Sequence, residues 1–500
     1  MFNNLEILWG VVVMLITLYY YLKTCCDFWK RRGVPGPEPV LGFGNILKGM
    51  FGKESLPEFL TRVYNGHKSE PLIGAFLRTI PVLFVKDPGF IKDILIKDFS
   101  KFVDRGFLKS EPADPMSNNL FGLEGKRWRP LRTHLSPVFT SGKLKEMFRL
   151  ILECSNHLET YLVTMVEKGE PINARELAAR FTTDVVGSCG FGIEMNSLSV
   201  QESEFRQIGK EIFSTSLYRV LKTKLHEIEP RLHALLVHLL PWDKPTKLFI
   251  KITSETLEYR EKNNVFRPDF MNILMELRKH PEKIDIELTH ELLAAQAFIF
   301  FTAGFETSST TISNALYELA LNQDIQKKLR EEIRQFEVEN GGEWKYETIK
   351  EMKYLHKVFQ ETLRKYPPVT ILSRMSIEDY TFDNTKVTIP KGTLIWIPVF
   401  AIHRDPDIYP DPEKYDPERF AEDKFNKIQP MQYMPFGHGP RNCIGARFAV
   451  YQTKIGLIKI LRNYKIDVCP ETPIPYKFNP FTFILTPSTS LYLKMTRIED

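Results

Sequence analysis

Pro435-Phe-Gly-His-Gly-Pro-Arg-Asn-Cys-Ile-Gly-Ala-Arg-Phe-Ala449 decides how the rest of this 500-residue chain is read. Three glycines, at 437, 439 and 445, surround one cysteine, Cys443, and a helical stretch opens at Ala446. Glycine lets the backbone turn tightly and approach a planar group closely. A cysteine at the mouth of a helix has its thiolate stabilised by the helix dipole and by backbone N–H groups. Arg441 is placed to neutralise a carboxylate of the same bound group, and Phe436 to shield the sulfur from water. A buried cysteine in a glycine-rich turn is the plainer alternative.

The pattern Phe436-x-x-Gly439-x-Arg441-x-Cys443-x-Gly445 resembles the cysteine-ligand loop of the cytochrome P-450 superfamily. Further motifs occur in that family's order. Ala303-Gly-Phe-Glu-Thr-Ser308 resembles its oxygen-activating segment on a central helix. Small residues at 303 and 304 leave room above a flat cofactor, and a mid-helix Thr307 diverts a carbonyl and opens a groove for water. Thr307, backed by Glu306, is then the expected proton-delivery pair. Glu361 and Arg364 share one helix face at i and i+3, which alone marks an ordinary surface pair. The resemblance implies that the pair is buried, is joined by Arg419 of the Pro417-Glu-Arg-Phe420 segment, and serves folding and haem retention. It also implies that Trp128, Arg132, Arg374 and Arg441, with Arg105 as a weaker candidate, hold the haem propionates. The Phe121–Trp128 run and Phe139-Thr-Ser-Gly142 look like the insect microsomal branch that metabolises foreign compounds.

Composition agrees with a large globular protein: 43% hydrophobic, 26% charged, with no shift that divides the chain. A net charge of +5, evenly spread, gives no footprint for nucleic acid. Six cysteines without a CxxC spacing resemble neither a zinc site nor an iron–sulfur run and suit a reducing compartment. His438, inside the cysteine loop, is read as facing away from the metal, and no histidine is assigned to it.

Ile7–Leu22 carries no charge, and with the turn before it reaches membrane thickness. No basic residue precedes the run, while Lys23, Lys30, Arg31 and Arg32 follow it. That order argues for an uncleaved anchor with the remaining chain in the cytosol, which the resemblance locates at the endoplasmic reticulum. Cys25 and Cys26 beside it are either plain thiols or palmitoylation sites. The expected organisation is an anchor at 1–22, a basic and Pro/Gly-rich stiff linker at 23–40, and one catalytic domain over 41–500. Gly42-Phe-Gly44 reads as a turn.

Periodicity predicts amphipathic helices near 140–165, 200–225, 245–280, 288–320 and 346–366. Strand-like runs fall near 72–86, 369–376, 386–399 and 481–496. The fold class is therefore mainly α with small β-sheets (α+β), and the resemblance implies a single large cytochrome P-450-like domain behind a transmembrane anchor. Leu292–Phe305 reads as a central buried helix, being too short and too interrupted for a membrane span. Leu235–Leu240 is either a membrane-dipping loop or a buried helix end.

If the resemblance holds, the protein is a monooxygenase carrying haem b with the Cys443 thiolate as axial ligand. It takes dioxygen, and electrons from NADPH through a membrane-bound cytochrome reductase, with cytochrome b5 as a possible second donor. Lys126, Arg127 and Arg129 are the candidate docking surface for that reductase. An apolar pocket is expected from Phe298, Phe301, Ala303, Val369, Ile371, Leu372, Phe481 and Phe483. Two other readings stay open: a haem-thiolate isomerase or dehydratase, against which Glu306-Thr307 argues, and a haem-thiolate sensor without turnover.

Overall fold

The computed structural model describes residues 4–106, 114–199, 203–213 and 242–498. Its helices of ten residues or more, in chain order, begin with α1 (Asn4–Cys26), α2 (Leu56–Gly66), α3 (Gly125–Leu135) and α4 (Ser141–Glu167). There follow α5 (Ala174–Val186), α6 (Glu204–Phe213), α7 (Lys244–Lys262) and α8 (Phe270–Lys279). The last four are α9 (His290–Leu321), α10 (Gln323–Glu339), α11 (Lys353–Lys365) and α12 (Ala446–Leu461). The strands are β1 (Leu72–Leu77), β2 (Ile80–Val85), β3 (Ile172–Asn173), β4 (Leu372–Met375) and β5 (Tyr380–Thr381). They end with β6 (Thr388–Ile389), β7 (Leu394–Ile397), β8 (Tyr464–Asp467) and β9 (Tyr492–Arg497).

The chain divides into two compact units. One comprises Met1–Gly106, Val369–Pro410 and Ile428–Asn442; the other takes Phe107–Pro368, Asp411–Lys427 and Cys443–Asp500. The first is organised on a four-stranded sheet ordered β1-β2-β7-β4, with β2 and β7 parallel and the outer pairs antiparallel. Apolar residues of these strands (Leu83, Val85, Ile395, Ile397) meet Ile91, Ile94, Leu95, Phe102 and Ile402 in its core. α2 starts at a capping box in which Ser55 and Glu58 satisfy each other's backbone groups.

The apolar amino-terminal run forms a 23-residue helix, about 34 Å long at 1.5 Å per residue, whose described side chains are mostly exposed before Cys26. It is long and apolar enough to cross a membrane and continues four residues beyond Leu22. The Pro/Gly-rich linker that follows is packed against the first unit. Trp29 and Val34 belong to the core of the first unit, and the Trp29 indole N–H donates to the Ala75 carbonyl at 2.9 Å. The Gly74 N–H donates to the Pro35 carbonyl at 2.7 Å, and a Cβ at Gly74 would lie 2.3 Å from the Trp29 ring. A large apolar ring just past a charged run finds more buried surface than solvent offers, which the proline spacing did not reveal.

The second unit is helical, with a small β3-β9-β8 sheet. α9 runs through it, 32 residues long and buried along most of its length, as expected of Leu292–Phe305. The long helix expected over 245–280 is broken in two. Asn264 takes a left-handed φ of 50° and Asp269 caps α8 by accepting the Asn272 N–H, so the chain must stop and restart there. The helix expected from 346 begins only at Lys353, after a 3₁₀ turn at Thr348–Lys350. Of the helix expected over 200–225, Glu204–Phe213 is observed; the rest, like Leu235–Leu240, lies outside the described residues. Of the strand expected over 481–496, only Tyr492 onward pairs in a sheet.

Candidate functional site

Of the six thiols, only Cys443 is exposed. Burial pushes the Cys154 thiol up to about 12 and Cys189 well above its ordinary range, so both stay protonated and inert. Cys443 stands two residues before Gly445, the N-terminal flank of α12, where helix geometry favours a negative sulfur. Arg132, on α3, shares its field: burial pushes that guanidinium down, and Cys443 is the charge that raises it again. Trp128, one turn earlier on α3, is buried. Within the second unit, then, Cys443 at the head of α12 shares its electrostatic surroundings with the Arg132 guanidinium.

Within the first unit, Arg105, Arg374 and Arg441 come together. Arg105 Nη2 donates to the Arg441 carbonyl at 3.1 Å, and Ser373 Oγ on β4 donates to the Arg105 carbonyl at 2.8 Å. Arg374, also on β4, is 1% exposed; burial first, then the Arg441 charge, pushes its guanidinium down. Its Nη1 donates to the Ser373 carbonyl at 2.7 Å, while its Nε is buried without a hydrogen-bond partner. A buried cation facing a second cation calls for an anion. A propionate carboxylate, able to take two parallel guanidinium bonds, fits that demand. The loop that carries Arg441 depends on Gly439, at φ +73°, where a Cβ would lie 1.9 Å from the Leu95 carbonyl oxygen. Phe436 is half-buried on the same loop. His438 sets Nε2 3.4 Å from the Tyr433 carbonyl.

On α9, Ala303 is exposed and Thr307 half-exposed one turn later, on a helix otherwise mostly buried. Thr307 Oγ1 donates to the Ala303 carbonyl at 2.7 Å, the same i to i−4 bond that Thr302 and Thr311 make on this helix. One expectation is corrected: Gly304 does not open space above a cofactor, since a Cβ there would be 2.8 Å from Val186, so the glycine lets α5 pack against α9. Glu306 is buried and ion-paired with Arg175 of α5, a partner the sequence reading missed because nothing in local spacing marks it.

The expected substrate residues separate by exposure. Phe301 is removed from the set: it is fully buried, its ring 5.3 Å from Phe249 and 5.0 Å from Phe305, so it serves the core. Ile371 is buried likewise. Phe298 and Ala303 keep an open face on α9, as do Phe481 and Phe483 near the carboxyl terminus. Val369 and Leu372 are half-buried in the first unit.

The Glu361 cluster is assembled as the resemblance implied. Arg364 Nε and Nη2 donate to the two Glu361 oxygens at 2.6 and 2.9 Å, with both side chains wholly buried. Arg419 Nε lies 3.5 Å from the same carboxylate, and the Asp416 N–H donates to it at 2.9 Å. Burial pushes the Glu361 carboxyl up, and Arg364 first, then the Asp416 N–H and Arg419, hold it down. Nothing in the local residue pattern marks Asp416, whose backbone N–H reaches Glu361 only once the 417–420 turn folds onto α11.

The family model described as Cytochrome P450 matches residues 34–495. The chain is 43% identical over 489 residues to the probable cytochrome P450 6a14 of Drosophila melanogaster, covering 94% of this chain and 96% of that protein. It is 40% identical to cytochrome P450 6A1 of Musca domestica, covering 98% of each, and 39% identical to cytochrome P450 6a2 of Drosophila melanogaster, again covering 98% of each. Family similarity across nearly the whole chain and the exposed thiol of Cys443 agree: this chain belongs to the cytochrome P450 family of haem-thiolate monooxygenases.

Proposed function

We propose that this monooxygenase oxidises apolar small molecules, foreign compounds or lipid-like endogenous ones, with NADPH-derived electrons delivered by a membrane-bound flavoprotein reductase. The observation that carries the reading is the exposed Cys443 thiol at the head of α12 with the Arg132 charge beside it. Bound haem supplies the oxidising chemistry, the reductive activation of dioxygen with one oxygen atom passed to substrate and the other released as water. Cys443 holds the iron. Arg132, Arg374 and Arg441, with Arg105 positioning Arg441, bind the propionates. Trp128, Phe436 and Gly439 shape the cofactor's surroundings.

Thr307 donates its proton to the Ala303 carbonyl and keeps its oxygen free to accept a hydrogen bond from water, which suits a relay. Glu306, held by Arg175, fixes α9 to α5 and so sets where Thr307 stands. Phe298, Ala303, Val369, Leu372, Phe481 and Phe483 offer an apolar lining that excludes water from the substrate. Lys126 and Arg129 are exposed and Arg127 half-exposed on α3, an arrangement that supports docking of an acidic reductase face, with cytochrome b5 as a second donor. The apolar α1 and the basic residues after it support anchoring in the endoplasmic reticulum membrane with the catalytic residues in the cytosol.

The test is a reduced carbon monoxide difference spectrum, followed by turnover of an apolar substrate panel with reductase. A thiolate-type spectrum and product formation that needs both NADPH and dioxygen are expected. A histidine-type spectrum, or thiolate character retained in Cys443→Ala, would overturn the ligand assignment. Product formed without NADPH or dioxygen would favour the isomerase reading instead.

A further inference from the structure

Within the second unit, the face of α12 that carries Arg447, Tyr451 and Lys454, at i, i+4 and i+7, lines a cavity of about 320 Å³. Tyr346 and Lys350 close it from the turn before α11, and Ser141 from the start of α4. Three cations therefore converge on one recess. None of them makes an ion pair with a carboxylate among the described residues. The nearest acids reach the cavity only through their fields: Glu347 is bonded to Lys145 at 2.7 Å while also feeling Lys350, and Glu332, which raises Lys454, spends its oxygens on the Tyr354 and Leu355 N–H groups at 2.7 and 2.8 Å. His356 also lines the recess and is held neutral, pushed down to about 4 by burial and by Lys454.

Two lining groups are both buried and poorly satisfied. Lys454 is 2% exposed, and its ammonium has one bond, to the Ile349 carbonyl at 3.2 Å. Tyr451 is 4% exposed, and its hydroxyl, beside the Tyr346 phenol, makes no hydrogen bond of normal geometry. A buried lysine and a buried orphan hydroxyl are both costly, so chance does not readily place them side by side. Arg447 Nη1 donates to Ser141 Oγ at 3.3 Å, which leaves most of the guanidinium fork for another acceptor. The Tyr346 and Tyr451 rings stack with centroids 4.4 Å apart and give the recess an aromatic wall.

We propose that this cavity is a binding site for a phosphate dianion, free or as a small phosphate monoester, held by Lys350, Arg447, Lys454 and the Tyr451 hydroxyl. Three positive charges exceed what one carboxylate would neutralise, whereas a phosphoryl group offers two charges and three acceptor oxygens. The site uses none of the residues assigned to haem, oxygen or substrate, and does not depend on the substrate proposed above. Arg447 follows Cys443 by four residues, so a bound dianion also alters the field at the head of α12.

The experiment is calorimetric titration of the haem-loaded full chain, in phosphate-free buffer at pH 7, with inorganic phosphate in one arm and phenyl phosphate in the other. Binding of at least one of them with a Kd below 1 mM is expected (~1 mM corresponds to a modest affinity for a small site). Phenyl phosphate binding about tenfold tighter identifies a monoester whose body meets the tyrosine wall; equal affinities identify free phosphate. Lys454→Met is expected to weaken binding at least tenfold and Tyr451→Phe severalfold, with the carbon monoxide difference spectrum of each variant unchanged. Absence of binding in both arms, or full affinity in Lys454→Met with an intact spectrum, overturns the proposal. It is likewise overturned if neither anion binds while Lys454→Met raises the KM for reductase, since the recess would then receive a partner's side chain.

Discussion

Replacing Arg364 by methionine keeps most of the side-chain volume and removes the charge that Glu361 was folded around. The carboxylate loses two charge-assisted bonds, at 2.6 and 2.9 Å, in surroundings with no solvent access to either residue. What remains is the Asp416 N–H at 2.9 Å and Arg419 at 3.5 Å. The Pro412 carbonyl, which accepts from Arg364 at 2.8 Å, loses that donor as well. Removing one member of a buried pair destabilises by about 3–5 kcal/mol, and the surviving Arg419 places this case near the lower end. A loss of about 3 kcal/mol is roughly a 160-fold change in the folding equilibrium. The measurement is urea unfolding followed both by far-ultraviolet dichroism and by the carbon monoxide absorbance, at fixed haem saturation because a ligand of the native state adds its own stability. The double variant Glu361→Gln with Arg364→Met removes the stranded charge and should recover more than half of the loss, since much of the penalty is uncompensated charge rather than a missing bond. If Arg364→Met costs less than about 1 kcal/mol, or if the double variant is no better than the single one, the cluster is not held by charge compensation.

Thr307→Ala should leave the carbon monoxide spectrum intact and lower product per NADPH by roughly a hundredfold, the lost electrons appearing as hydrogen peroxide, because a positioned proton donor contributes about 10²–10⁴-fold. Glu306→Gln, by contrast, breaks the ion pair to Arg175 and should lower thermal stability first; coupling that falls as far as in Thr307→Ala, at unchanged stability, would return Glu306 to the relay. Gly439→Ala places a Cβ 1.9 Å from the Leu95 carbonyl oxygen at a left-handed φ, and should yield protein without a thiolate carbon monoxide spectrum. Lys454, pushed down to about 8 by burial, binds a proton less readily folded than unfolded. Stability from this group therefore rises as pH climbs from about 8 toward 10.5, where only the unfolded chain still holds the proton. Lys454→Met should raise the melting temperature at pH 7 and flatten that rise; unchanged melting at both ends of the window would show that the ammonium is solvated.

What could be read along the chain was local. Cys443, Gly439 and Arg441 lie within five residues, so their spacing carries the ligand loop without knowledge of any other segment. The central helix was legible too, because 32 residues of apolar and small side chains leave few alternatives. What escaped were decisions made by distant partners. Phe301 and Phe298 look alike in sequence and both rings pack on Phe249, yet Phe301 goes on to meet Phe305 and is fully buried while Phe298 keeps an open face. Glu306 looks like a neighbour of Thr307, but neighbouring helix positions point about 100° apart, and Arg175, 131 residues away, decides where the carboxylate goes. Gly304 was read as room for a cofactor when Val186 takes that room. The recess on α12 shows the same limit in its strongest form. Arg447, Tyr451 and Lys454 form a helical face that anyone can count, but only folding reveals that Tyr346 and Lys350 close over it and that, among the described residues, no carboxylate comes within ion-pair distance of its cations. A charge left unmatched inside a fold is visible only after every possible partner has been placed, which is why it points to a ligand and why sequence alone could not show it.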